Sequence, residues 1–172
     1  HNTYYNFNPG VLRPTSEGST VARRRMPTEK SIESALYLSD AFDISDKIQL
    51  EGGVRLSLFN RIGPATVYQY TSGQPREIYN IEDSVNYAAG EISKTYAAVE
   101  PRLSLRYAVN DQTSFKAGYH RMAQYMHLVT NTAAVMPTDI WQSSNSYFKP
   151  QIAHQISAGI FRNFREGMFE SF

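Results

Sequence analysis

Within "YAAVEPRLSLRYAVN", residues Val99, Leu103, Leu105, Tyr107 and Val109 share one parity, while Glu100, Arg102, Ser104 and Arg106 share the other. A period of two means a β-strand with unlike faces, because successive side chains point to opposite sides of the pleat. An antiparallel sheet of this kind usually buries its apolar face and wets its polar one. The same alternation also suits a strand whose apolar face meets lipid. Parity alone does not choose between the two.

Other segments repeat the pattern. "SIESALYLSDAFDI" sets Ile32, Leu36, Leu38 and Phe42 against Glu33, Tyr37 and Ser39. "LEGGVRLSLFN" sets Leu50, Val54, Leu56 and Leu58 against Glu51, Arg55 and Ser57. "SFKAGYHRMAQYMHL" opens with Phe115, Ala117 and Tyr119 against Lys116 and His120, and its phase blurs after Arg121, which predicts a bulge or the end of the regular region. "IAHQISAGIFRNF" sets Ile152, Ile156, Ala158 and Ile160 against Gln155, Ser157 and Asn163. "HNTYYNFNP" is weakly patterned, and "MFESF" reads as the start of a further strand. Helical spacing fits none of these better. His1 is not an initiator methionine, so the chain is expected to be an excerpt from a longer polypeptide.

The connections separate the alternatives. "DISDK", "NDQTS" and "FREGM" are tight polar turns of the hairpin kind. Between them lie long links, from Val11 to Lys30, Arg61 to Ser93 and Val129 to Lys149, so short and long connections alternate. Repeated links of that length are uncommon in compact soluble domains. They suit a membrane barrel, with short turns on one side and long loops on the other. The expected fold is therefore all-β: an antiparallel up-and-down transmembrane β-barrel segment of about six to seven strands. The Leu and Val face would meet hydrocarbon, where an arginine at mid-depth costs about 2 to 4 kcal/mol, and the charged face would look into a lumen.

Composition adds limits. The 172 residues carry a formal charge of +1, which gives no argument for nucleic acid as a partner. The absence of cysteine excludes a disulfide framework and thiol chemistry. No stretch approaches the roughly 18 apolar residues of a membrane helix. A barrel strand escapes that test, since only about half its residues are apolar. The 12 Tyr, 9 Phe and 1 Trp could form interfacial girdles or serve a soluble sandwich equally well.

The stretches "SALYLSDAFDISDKIQLEGGVRLSLFN", "YAAVEPRLSLRYAVNDQTSFKAGYHRMAQYMHLVTNT", "PTDIW" and "KPQIAHQISAGIFRNF" together resemble the β-barrel of TonB-dependent outer-membrane receptors. "YNFNPG" is a weaker match, and the nearest subgroup is the SusC-like one, whose barrel follows a carboxypeptidase-regulatory-like domain and a plug. The resemblance implies a barrel of about 22 strands filled by a plug. It also implies a nutrient receptor of the Gram-negative cell outer membrane, importing a glycan, peptide or metal chelate with energy from the TonB protein. Its partners would be outer-membrane lipid, the plug domain of the same polypeptide, TonB itself and a surface lipoprotein. No cofactor is implied, and this chain alone would supply only part of the wall.

Two groups of candidate site residues follow. Glu51, Arg55, Glu100, Arg102 and Arg106 share the predicted lumen parity, where opposite charges on paired strands form a ladder able to contact the plug or merely satisfy one another. His120, Gln124, His127 and Trp141 lie at or above the outer end of their strand, as a substrate vestibule or as an interfacial rim. His120 and His127 are spaced for neither a helix nor a strand pair, so no metal site is expected. Arg23 to Arg25 could clamp lipid phosphates or form a solvated charge run, and Asp139 suits a turn. Gly52 and Gly53 predict a bend or close approach by another backbone, the plug among the possibilities. Nothing groups Ser, His and Asp as a triad, so no enzyme is expected. Two other readings stay open: an outer-membrane barrel with a structural or secretion-associated role, and a soluble carbohydrate-binding β-sandwich. The sandwich would cover Val54, Leu56 and Leu58 with a second sheet.

Overall fold

The structure, a computed structural model, describes residues 1–8, 11–13, 24–25, 28–129, 140–164 and 169–171. The strands are β1 (Asn2–Phe7), β2 (Val11–Leu12), β3 (Arg24–Arg25), β4 (Glu29–Ser45), β5 (Ile48–Ile62), β6 (Ala65–Tyr70) and β7 (Ile81–Tyr87). They continue with β8 (Ile92–Asn110), β9 (Thr113–Gln124), β10 (Met126–Val129), β11 (Ile140–Ser143), β12 (Gln151–Phe164) and β13 (Phe169–Ser171). A seven-stranded sheet runs in the order β1-β4-β5-β8-β9-β12-β13, and its described pairings are antiparallel. The expected all-β, antiparallel arrangement is what the chain forms. No helix among the described residues is long and apolar enough to cross a membrane.

The long links were expected to be loops, yet each carries a two-stranded ribbon: β2 with β3, β6 with β7 and β10 with β11. "ATVYQY" and "IEDSVNY" pair from Ala65↔Tyr87 to Tyr70↔Ile81. Their β-branched and aromatic residues favour that state. Of the turns, Asp46–Lys47 and Asp111–Gln112 join β4 to β5 and β8 to β9, while most of "FREGM" lies outside the described residues. Arg23 and Asp139 also lie outside them, and Arg24 and Arg25 form β3.

The chain divides into two compact units. One comprises Ala35–Ser57, Ala97–Gln124 and Gln151–Phe172, and is built from parts of the long strands with the short β13. Leu103↔Tyr119↔Ile156, Leu105↔Ala117↔Ala158 and Tyr107↔Phe115↔Ile160 form successive rows across β8, β9 and β12, and the β8–β9 register shifts only beyond them, between Ala108 and Asn110. These rows make an apolar face that is bare: Leu56 is 49% exposed, Leu105 39% and Ile156 81%. The second sheet that a soluble sandwich needs does not cover Val54, Leu56 or Leu58. Each such side chain left in water forfeits about 1.5 to 3 kcal/mol, so this face favours an apolar covering. Asp40, Arg121 and His154 interrupt it by parity. At Arg121 the two sides of β9 differ: pairing with β12 continues without a shift to Gln151↔Gln124, whereas the paired rows with β8 stop at Arg102↔His120. The regular region therefore ends there on one side, as expected.

The other unit comprises His1–Ser34, Leu58–Tyr96 and Tyr125–Pro150, and holds the ribbons. Here β1 pairs with β4 from Asn2↔Ser34 to Phe7↔Glu29. Phe59 and Tyr125 are the buried hydrophobic residues among those described, and both belong to this unit.

Candidate functional site

The opposite face of the all-strand unit is polar and comes in rows of its own. Arg102↔His120↔Gln155, Ser104↔Gly118↔Ser157 and Arg106↔Lys116↔Gly159 are successive cross-strand sets on β8, β9 and β12. Side chains directly opposite on one face stand about 5 Å apart, so the first and third rows bring Arg102 to His120 and Arg106 to Lys116. Glu100 is buried to 1% exposure, and its carboxylate accepts from Ser57 Oγ at 2.6 Å and from Arg55 Nη1 at 3.3 Å. Arg55 is thereby neutralised. Arg102, Arg106 and Lys116 remain as a cationic strip with Glu51 nearby.

A groove of about 480 Å³ opens on this unit, lined by Tyr37, Ser39, Glu51, Arg55, Arg102 and His120 among others. Gly53 belongs to its wall. A Cβ there would meet Ser39 Cβ at 2.9 Å and the Leu38 carbonyl oxygen at 3.1 Å. The close backbone approach signalled by the glycine pair is therefore that of the neighbouring strand β4. At Gly52 a Cβ would meet Leu103 Cδ1 at an ordinary 3.9 Å.

In the ribbon-bearing unit a second polar centre appears. Glu29 is buried, and its Oε2 accepts from both the backbone N–H and the hydroxyl of Ser143, each at 2.6 Å. Its Oε1 accepts from Arg61 Nη2 at 3.1 Å. A carboxylate taken out of water needs such partners, and here a cation and two donors supply them. Beside it, the rings of Phe59 and Tyr125 stack, and the Tyr96 hydroxyl donates to the Asn145 carbonyl. Together these contacts hold the β10–β11 ribbon and its flanks to β4, β5 and the start of β8.

The predicted site residues separate accordingly. Glu51, Arg55, Glu100, Arg102 and Arg106 lie in the all-strand unit, and His120 joins them as the cross-strand partner of Arg102. Gln124 ends β9, opposite Gln151. His127 and Trp141 belong to the other unit, on neighbouring rungs of the β10–β11 ribbon. His127 Nε2 lies 3.2 Å from Ser144 Oγ, and Trp141 stacks on Phe7 with centroids 6.3 Å apart. The four vestibule candidates are thus two pairs in two places. Glu29, Phe59, Arg61, Tyr125 and Ser143 escaped sequence reasoning. Glu29 and Ser143 are 114 positions apart, and no local pattern joins them. Among the described residues no group of His, Asp or Glu is arranged to hold a metal.

Comparison with known proteins gives one family. The model described as TonB dependent receptor-like, beta-barrel matches residues 1–169. No curated protein and no solved structure matches the chain.

Proposed function

Because the chain belongs to the TonB dependent receptor-like β-barrel family, a family of outer-membrane receptors and transporters, we propose that it is part of the wall of a nutrient-import barrel. Its substrate would be a scarce glycan, peptide or metal chelate, admitted with energy passed on by TonB. The observation that carries this reading is the division of one sheet unit into a bare apolar face and a charged one. Leu105 and Ile156 meet acyl chains, while Arg102, Arg106, Lys116 and His120 face an aqueous interior.

In this reading the cationic strip and the groove beside it receive the plug domain of the same polypeptide. Glu51, Arg55, Arg102 and Arg106 are its contact ladder, with the buried Glu100 holding Arg55 in place, and an acidic plug surface complements the surplus positive charge. The β10–β11 ribbon, with His127 and Trp141, and the β9 residues His120 and Gln124 contribute to substrate passage. A SusC-like arrangement would add a surface lipoprotein over the mouth.

The test is uptake. A strain lacking the complete gene is compared with its parent and with a TonB-deficient strain for growth on sole sources of glycan, peptide and chelated metal. The expected result is one substrate on which the gene deletion and the TonB deficiency fail alike. Normal growth of the deletion strain across the panel, at limiting concentration, would sink the importer reading.

A further inference from the structure

Arg121 and His154 are direct cross-strand partners, and their row belongs to the apolar face. The row on one side is Tyr119↔Ile156 and the row on the other is Ala123↔Ile152. Two nitrogen-bearing side chains therefore stand side by side on a surface otherwise made of Leu103, Ile152, Ile156 and their neighbours. Position along the strand explains why the fold tolerates them. Arg121 lies three positions before β9 ends at Gln124, and His154 three positions after β12 begins at Gln151. The tight turn at Asp111–Gln112 marks the opposite end. An outward arginine costs about 2 to 4 kcal/mol at the bilayer midplane but only about 0 to 1 near the interface, where polar headgroups begin.

Both groups are held on that surface by one contact each. Arg121 Nη1 donates to the Val99 carbonyl, which fixes the guanidinium across the strand. Nη2 of the same group has no partner among the described residues. The Tyr119 hydroxyl lies 2.9 Å from His154 Nδ1. A phenol donating to Nδ1 leaves the Nε2 proton available to an acceptor elsewhere. The row thus presents a planar cationic donor and an imidazole donor, with a phenol oxygen beside them. Below lies an oily surface, on which Ile156 is among the most exposed side chains. That combination complements a molecule that is anionic at one end and hydrocarbon at the other.

We propose that Tyr119, Arg121 and His154 form a binding site for the phosphate group of an anionic lipid in the outer leaflet. Charge-assisted hydrogen bonds from the guanidinium and the imidazole hold the phosphate. The acyl chains lie along Ile156, Leu103 and Leu105. This inference rests on the membrane-spanning reading proposed above, but it concerns a different face from the plug-contact ladder and needs no import activity.

The experiment uses the complete polypeptide that carries this chain, purified in detergent. Recovery from membranes and a heat-dependent change in gel mobility first establish that it assembles as a barrel. If it does not, the membrane reading itself fails. With an assembled barrel, binding of diphosphoryl lipid A in mixed micelles is measured by native mass spectrometry and by the shift in unfolding temperature. Dephosphorylated lipid A and inorganic phosphate serve as separate arms. The expected result is a shift with the diphosphoryl lipid alone, and roughly tenfold weaker binding in the Arg121→Gln/His154→Gln double variant. Arg121→Lys, which keeps the charge and loses the planar fork, should fall between and controls for assembly. Equal lipid binding by wild type and assembled double variant overturns the site. An equal shift with inorganic phosphate or with the dephosphorylated lipid overturns the lipid phosphate as its ligand.

Discussion

The rings of Phe59 and Tyr125 lie 4.9 Å apart between centroids and within 4° of parallel, and both residues are buried. Phe59 comes from β5, whereas Tyr125 interrupts the chain between β9 and β10. Their contact anchors the β10–β11 ribbon at its root. The Ser144 N–H donates to the Tyr125 carbonyl at 2.7 Å, so the same anchor protects a backbone bond. Phe59→Ala should cost about 3 to 5 kcal/mol locally. Hydrogen exchange at the Ser144 amide checks it: exchange should accelerate in the variant, while the β9 and β12 amides remain protected.

The carboxylate of Glu29 makes a separate prediction. Glu29→Ala leaves Arg61 and two Ser143 donors facing a buried gap, a change expected to cost about 3 to 5 kcal/mol. Glu29→Gln keeps an acceptor oxygen and removes the charge, so it should recover part of that loss. The order wild type, then Gln, then Ala in resistance to chemical unfolding, followed by fluorescence of the single tryptophan, Trp141, is the expected outcome. An alanine variant as resistant as wild type would show that the node contributes nothing.

Faces can be tested against each other. Leu105→Arg places a cation on the bare surface and should cost about 2 to 4 kcal/mol in a bilayer at mid-depth. Ser104→Arg, one position away on the polar face, should be far milder. Assembly yield into membranes, compared for the two variants, measures the difference. Equal yields would mean that Leu105 does not meet hydrocarbon.

Much of this architecture is legible in the residues, and the reasons are local. The period-two pattern of Val54 to Leu58 and of Leu103 to Val109 identified both faces because charges avoid one parity without exception there. Arg121 was legible only in part. A charge on the apolar parity looked like a break in the strand, and it is one only towards β8, where pairing stops at His120; towards β12 the register continues. Of the glycine pair only Gly53 meets a close backbone, and the sequence could not say whose, since only the fold sets Ser39 and Leu38 against it. His120 was set apart from Arg102 because sequence separation conceals a cross-strand partner. Glu29 and Ser143 were beyond reach for the same reason on a larger scale: each alone is an ordinary strand residue.

The hydrogen bonds from Ser143 to Glu29 bring together positions 114 apart in the chain. Closing a long span costs conformational entropy before any contact compensates it, and such contacts form slowly. Turn-linked neighbours such as β8 and β9 have no such handicap. The ribbon can therefore settle only after its two supporting strands stand side by side, which makes it a latecomer in biogenesis. Until then Glu29, Arg61 and the Ser143 donors each keep their own water, and the last of it leaves only when the ribbon docks.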